Sequence, residues 1–287
     1  MPVRKGLEKA MAAPTFSVRF WGVRGSLPAS SSAHVGVGGH TCCVEMRCGE
    51  RVLVFDAGTG AFPAGRALRK QGVRKLDMFF SHCHYDHIIG LPFFSPVHDE
   101  AARIGIWAGH LAGIMTCEEM VSAFMKPPFF PVPPTCMSAA IDYHDFRPGD
   151  SLDIGDGIVI GTMMLNHPGG AVAYRVNYDD RAICYVTDTE HIGKVLDPAL
   201  LAFINGADIV IYDATYTDAE LPHFIGYGHS TWQHGGRLCA EANVGTYVIY
   251  HHRLEHDDKT LEQIEADARK SFPGAVLARE GLCLDAD

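Results

Sequence analysis

Residues 82–87 read His-Cys-His-Tyr-Asp-His, which packs three imidazoles and a carboxylate into one short stretch. The apolar run Leu76-Asp77-Met78-Phe79-Phe80-Ser81 precedes it and Ile88-Ile89-Gly90-Leu91-Pro92 follows. That order predicts a buried strand, a loop and a short helix. In an extended segment residues two apart point the same way, so His82 and His84 can grip one cation together. Asp86 and His87 come where the chain turns and can reach a second cation nearby. Imidazole with carboxylate suits zinc, manganese or iron, whereas calcium prefers all-oxygen cages.

A dinuclear hydrolytic site keeps its cations roughly 3.5–4 Å apart, usually about a shared carboxylate and a shared water. More donors are therefore needed than the cluster supplies, and three occur downstream at the ends of predicted strands. His167 follows Ile158-Val159-Ile160 and Met163-Met164-Leu165, Asp188 follows Ala182 to Thr187, and His251 follows Tyr247-Val248-Ile249-Tyr250. Loops at one edge of a sheet can bring all three to the cluster. Two further polar residues share this context. Asp213 closes Ile209-Val210-Ile211-Tyr212, and His229 precedes a helical pattern through Leu238, Cys239, Ala240 and Ala242, with Ser230 or Thr231 as N-cap.

With Asp56-Ala57-Gly58-Thr59-Gly60, Asn166-His167-Pro168-Gly169-Gly170, Thr187-Asp188-Thr189, Gly228-His229-Ser230-Thr231 and Tyr250-His251-His252, the chain resembles the metallo-β-lactamase superfamily from about Phe16 to Leu284. The resemblance implies a four-layer αββα sandwich whose site lies along one edge. It places His82, His84 and His167 on a first metal, Asp86, His87 and His251 on a second, and Asp188 between them. His252 is the rival for the last position, and His251 is preferred because it directly follows the apolar strand. Asp56 would orient ligands from behind. The β-lactamases of this fold commonly carry a cysteine where Asp188 stands. The glyoxalase-type thioesterases place their third histidine where Gly170 stands, and the flavin-dependent di-iron reductases replace the histidine at 84 with glutamate. What remains is similar to the phosphodiesterase branch, which includes tRNA 3′-end processing endonucleases and cyclic-phosphate phosphodiesterases.

In that branch the counterpart of His229 faces the phosphate without binding metal, and an acid matching Asp213 holds it. The implied chemistry is phosphodiester hydrolysis. Two cations, zinc first and manganese or iron otherwise, lower the pKa of a shared water and neutralise phosphate oxygens. His229, steadied by Asp213, protonates the departing alkoxide or braces the phosphoryl group. Asp86 counts both as a ligand and among the catalytic groups. The alternatives are hydrolysis of another ester, a lactone or a thioester, and a metal-holding sensor without turnover.

Strands alternate with helical stretches, as at Val52–Phe55 then Ala64–Lys70 and at Tyr247–Tyr250 then Leu261–Lys270, which predicts layered α/β architecture. No proline-rich or low-complexity linker divides the chain, so 15–287 reads as one domain. Residues 1–14 read as a flexible extension, too short of apolar residues for a signal peptide or a membrane span. The nine cysteines form no CxxC pair, an odd count that favours reduced thiols in the cytoplasm. A formal net charge of −10, with scattered bases, argues against a long nucleic acid and for a small phosphodiester substrate. Segment 115–147, with Met120, Phe124, Met125, Phe129 and Phe130 among clustered prolines, reads as an insertion facing the substrate. Arg24, Ser26, His34 and His40 are nearby polar residues without an assigned role. A homodimer is the default assembly.

Overall fold

The computed structural model describes residues 16–286, so the extension expected over 1–14 lies outside the described residues. Two seven-stranded sheets form the centre. In the first, β1 (Phe16–Gly22), β2 (Cys43–Cys48) and β3 (Arg51–Phe55) run antiparallel, and β4 (Lys75–Phe80), β5 (Arg103–Ala108) and β6 (Ala140–Asp145) continue in parallel with β3. The second sheet follows the same plan. There β7 (Ser151–Asp153), β8 (Val159–Leu165), β9 (Ala171–Tyr178) and β10 (Arg181–Val186) are antiparallel, and β11 (Ile209–Asp213), β12 (Thr246–Tyr250) and β13 (Ala275–Leu277) run parallel to β10. Finally β14 (Cys283–Asp285) pairs antiparallel with β1 and covers an edge of the first sheet. The two sheets thus repeat one strand plan.

Alternation along the strands builds the layers. Leu53, Phe55 and Phe79 face the other sheet, while Val52, Val54, Met78 and Phe80 face outward onto helices. The helices on that outer face are α1 (Ala61–Lys70), the single turn α2 (Tyr85–Ile88) and α3 (Cys117–Phe124). On the second sheet α4 (Pro198–Ile204), α5 (Trp232–Glu241) and α6 (Asp258–Ser271) bury Leu200, Leu238 and Leu261 against the strands. The four-layer sandwich expected from the motifs is therefore present. Between the sheets Phe55 stacks on Phe79 at 5.3 Å and meets Tyr174 and Tyr185 at 5.4 and 5.7 Å. Full burial of such a ring contributes about 1.5–3 kcal/mol, so this aromatic layer is a stiff floor beneath the strand ends.

Within 115–147 the expected helix and proline-rich loop both form. Thr116 and Glu119 make a reciprocal cap at the start of α3, and Met120, Val121 and Met125 pack into the outer core. Phe129 is 88% exposed, whereas Phe130 turns back to lie edge-on to Phe93 at 6.1 Å.

Candidate metal centre

Parallel strands that end together present their following loops on one edge, and the polar residues of this chain gather there. The loop after β4 carries His82 and His84, and α2 then carries Asp86 and His87. The helix starts at Tyr85, earlier than the expected Ile88, with His84 as an extended N-cap that makes no side-chain cap bond. His167 follows β8, Asp188 follows β10, Asp213 ends β11, and His251 follows β12.

Asp188 lies at the middle. Its Oδ1 is 3.8 Å from both His82 Nε2 and His167 Nε2, and its Oδ2 is 3.2 and 3.3 Å from His87 Nε2 and His251 Nε2. Asp86 Oδ2 is 3.3 and 3.4 Å from the same two atoms of His87 and His251. Donor atoms of His82, His84 and His167 lie within 4.8 Å of one another, and so do those of Asp86, His87 and His251. The geometry thus presents two neighbouring donor groups with one carboxylate spanning them.

The tautomers follow from the partners behind each ring. His87 Nδ1 sits 2.8 Å from Asp56 Oδ2, and since a carboxylate only accepts, that nitrogen carries the proton. His167 Nδ1 donates to the Gly228 carbonyl at 2.8 Å. Ser81 Oγ donates to Asp56 at 2.7 Å and accepts from His82 Nδ1 at 3.0 Å. Thr215 Oγ1 likewise donates to Asp213 at 2.7 Å and accepts from His251 Nδ1 at 2.9 Å. In the neutral form of each ring Nε2 carries the lone pair and faces the centre. His84 is reversed, with Nδ1 3.1 Å from His167 Nε2. The Nε2 atoms of His82, His87 and His251 are buried and have no hydrogen-bond partner. Buried polar atoms are rarely left unpaired, so aligned orphan lone pairs beside carboxylates fit divalent cations.

Charge accords with that fit. Burial opposes ionisation of Asp188, but His251, His87 and His82 outweigh it and hold the carboxyl well below its usual range. Asp86 is depressed in the same way by His87 and His251, against the cost of its burial. His82 moves the other way, because burial and neighbouring imidazoles push it well down. Backbone geometry is costly here as well. Asp56, Asp188 and His251 each leave a strand with positive φ, at 59°, 54° and 59°. For residues other than glycine that region costs about 1–2 kcal/mol each. Such outliers persist where the surroundings over-determine them.

His229 stands beside this centre. Its Nδ1 donates to Asp213 Oδ2 at 2.9 Å, which leaves Nε2 free. Asp213 is fully buried and also accepts from the Thr189 and Thr215 backbone N–H groups at 3.2 and 3.0 Å. Thr231, not Ser230, caps α5 by accepting from His234 N at 3.1 Å. A cavity of about 540 Å³ opens over the centre, lined by Ser26, Cys83, His84, Tyr85, Asp86, Asp188 and His229.

A family model described as a beta-lactamase superfamily domain matches residues 51–252. The chain belongs to the metallo-β-lactamase superfamily. A ribonuclease Z from Bradyrhizobium sp. (strain ORS 278) is 25% identical over 92% of this chain and 98% of that protein. The metallo-beta-lactamase fold protein YhfI from Bacillus subtilis superposes with a TM-score of 0.72 at 18% identity, covering 95% of this chain and 99% of that one. The short form of human tRNase Z superposes with a TM-score of 0.68 at 18% identity, covering 94% and 99%. The superfamily and its phosphodiesterase branch, expected from the motifs, are both borne out.

Within this superfamily fold all seven residues expected as ligands meet, and His229, expected to face the phosphate, stands next to them with Asp213, its expected acidic partner. His252 does not join. It is buried on the far side of the strand end, with Nε2 2.8 Å from the Ala278 carbonyl. Ser26 acts through its backbone, donating its N–H to Asp86 Oδ2 at 2.7 Å. Arg24 points away and donates to the carbonyls of Gly38 and His256. His34 and His40 bond to Leu254 and Thr59 in loops. The sequence reading passed over three participants, namely Ser81, Tyr185 and Thr215. Ser81 and Tyr185 both donate to Asp56. No local signal marks Tyr185, which lies inside a buried strand, although Ser81 adjoins the histidine cluster.

Proposed function

We propose that this chain is a two-metal phosphodiesterase acting on a small or cyclic phosphodiester. The observation that carries the proposal is Asp188, whose two oxygens address two separate histidine groups. His82, His84 and His167 would hold one divalent ion, and Asp86, His87 and His251 the other, with zinc favoured and manganese or iron as alternatives. Bound there, the ions would supply Lewis-acid charge for the phosphate oxygens and lower the pKa of a water.

The remaining work falls to the chain's own groups. Asp213 holds the His229 ring through Nδ1, and His229 lines the cavity, so its Nε2 is the nitrogen left to give a proton to the leaving alkoxide. Asp56, Thr215 and the Gly228 carbonyl fix the ligand rings before substrate arrives, so little reorganisation remains. Tyr85 stands 72% exposed at the rim. Segment 115–147 docks beside Phe93 through Phe130 and leaves Phe129 bare, an apolar ring on which a nucleobase could stack.

The cavity volume, the net charge of −10 and the scattered bases favour a small substrate. The ribonuclease Z relatives support a second reading, hydrolysis at an RNA 3′ end. A panel of bis-nitrophenyl phosphate, cyclic nucleotides, tRNA precursors, lactones and thioesters, run with zinc and with manganese, separates these readings. Turnover of the diesters and cyclic nucleotides without the RNA is the expected result. Lactone or thioester turnover alone would replace the phosphodiester assignment, and metal binding with no turnover would make the chain a sensor.

A further inference from the structure

Cys42 stands immediately before β2 with its side chain fully buried and facing the core between the sheets. Backbone hydrogen bonds place it against α2. Gly58 N–H donates to the Cys42 carbonyl at 2.7 Å, and Ala57 N–H donates to the His87 carbonyl at 2.7 Å. Gly58 permits the approach, since a Cβ there would lie 2.1 Å from the Asp86 carbonyl oxygen and 2.8 Å from the Cys42 nitrogen. Held this way, the Cys42 sulfur lies within 4.8 Å of donor atoms of Asp86, His87 and His251, which are likewise mutually within that distance. The thiol makes one long hydrogen bond, 3.5 Å to the Arg24 carbonyl. The Nε2 atoms of His87 and His251 beside it have no partner.

We propose that Cys42 supplies a sulfur ligand to the second metal position, which makes that position a mixed nitrogen, oxygen and sulfur site selective for zinc over manganese. The inference rests on the two-metal reading above. Thiolate is a soft donor that suits zinc and cobalt, whereas manganese prefers oxygen. On loading, the thiol proton passes to solvent and the sulfur–metal bond replaces the S–H bond. This sulfur arrives from the N-terminal sheet and adds to Asp188 without replacing it. Cys83, although inside the histidine cluster, belongs to none of the donor groups.

The test loads the full-length protein with cobalt(II) and records metal content and the near-ultraviolet spectrum. Two cobalt ions per chain with an intense thiolate-to-cobalt band are expected. Cys42→Ser and Cys42→Ala should lose that band and bind zinc at one position about tenfold or more weakly, with manganese binding unchanged, and Cys83→Ser should keep the band. Zinc-edge absorption spectra of the unaltered protein read the same donor without substitution, as a sulfur neighbour at about 2.3 Å. Two ions with no sulfur signal would overturn Cys42 ligation and leave the two-metal reading standing. A band that survives both Cys42 variants, or vanishes with Cys83→Ser, would also overturn it. One ion per chain at saturation would overturn the two-metal reading and this inference together.

Discussion

Replacing Asp56 by asparagine should empty the second metal position without altering any proposed ligand. The Asp56 carboxylate is fully buried and accepts four hydrogen bonds, from Ser81 N and Ser81 Oγ at 2.7 Å and from His87 Nδ1 and Tyr185 Oη at 2.8 Å. The Ser81 backbone N–H cannot rotate, so the asparagine must keep its oxygen at the Oδ1 position and put its NH2 at Oδ2. Of the two NH2 hydrogens, one meets the hydroxyls of Ser81 and Tyr185, either of which can turn to accept it, and the other faces His87. The His87 ring has one way to adapt, which is to accept at Nδ1 and carry its proton on Nε2. That is the atom now aimed at Asp86 and Asp188, and a protonated nitrogen cannot bind metal. Loss of partners behind a metal-binding imidazole typically weakens metal binding about 10–100-fold, or roughly 1.4–2.7 kcal/mol. Alanine at 56 would instead orphan several buried donors at about 1–3 kcal/mol each, so asparagine is the informative change. Competition against a graded chelator series, with metal counted in the retained protein, should show one ion leaving early and the other holding. If Asp56→Asn keeps both ions at every chelator concentration that the unaltered protein tolerates, His87 does not bind metal through Nε2, and the tautomer reasoning fails.

His229→Ala should lower kcat by about 10²–10⁴ while metal content stays near two per chain, because its proposed role is proton transfer; metal loss in that variant would reassign it as a ligand. Gly25→Ala places a Cβ 2.3 Å from the His251 ring, and Gly228→Ala places one 2.3 Å from His167 Nδ1. The first should weaken the second metal position and the second the first, and the same chelator series would refute this if the losses are identical. Burial pushes His252 down to about 3. The unfolded chain then takes up a proton below about pH 6.5 that the folded chain refuses, so stability present at neutral pH falls as pH drops from about 6.5 toward 3. In urea titrations, the stability deficit of His252→Gln should narrow by about 2 kcal/mol between about pH 7 and pH 5, and parallel curves would show that His252 protonates freely. Chelating the metals should lower Tm by about 5–10 °C, from a binding contribution of about 2.7 kcal/mol at a hundredfold excess over Kd. Calorimetry showing a Tm indifferent to added zinc would sink that expectation.

The proposed ligands were legible in the residues because each follows an apolar strand, and a strand end at a parallel edge is a place where separate segments converge. His82, His84, Asp86 and His87 are local enough to read directly. His167, Asp188 and His251 became legible through their shared position after β8, β10 and β12. The layers were legible for a related reason, since strands such as β3 and β4 are apolar on both faces and need a sheet on one side and helices on the other. What escaped depends on tertiary contact. Tyr185 resembles any buried tyrosine until Asp56, 129 residues away, is placed beside its hydroxyl. Cys42 was one thiol among nine because strand β2 gives no hint that Gly58 brings it to α2. The start of α2 was missed because no serine, threonine, aspartate or asparagine caps it.

The positive-φ residues explain how one edge can serve both sheets. A strand continuing past Phe55, Thr187 or Tyr250 with ordinary dihedrals would carry its next side chain outward along the pleat. A left-handed turn at Asp56, Asp188 and His251 swings each side chain back across the strand end instead. The three conformations together cost about 3–6 kcal/mol, a large share of the stability of an ordinary domain. Each is met by local bonds, with Asp56 accepting from Ser81 and Tyr185, Asp188 accepting from Thr187 Oγ1, and His251 held through Thr215. The proposed first ion would then join His82 and His84 of one sheet to His167 of the other, and the second would join Asp86 and His87 to His251. Each would therefore be a link between the sheets as well as a centre of charge. Strain at the strand ends and cations between the sheets are, on this account, two parts of one construction, in which backbone distortion supplies the donor geometry that a divalent cation would use.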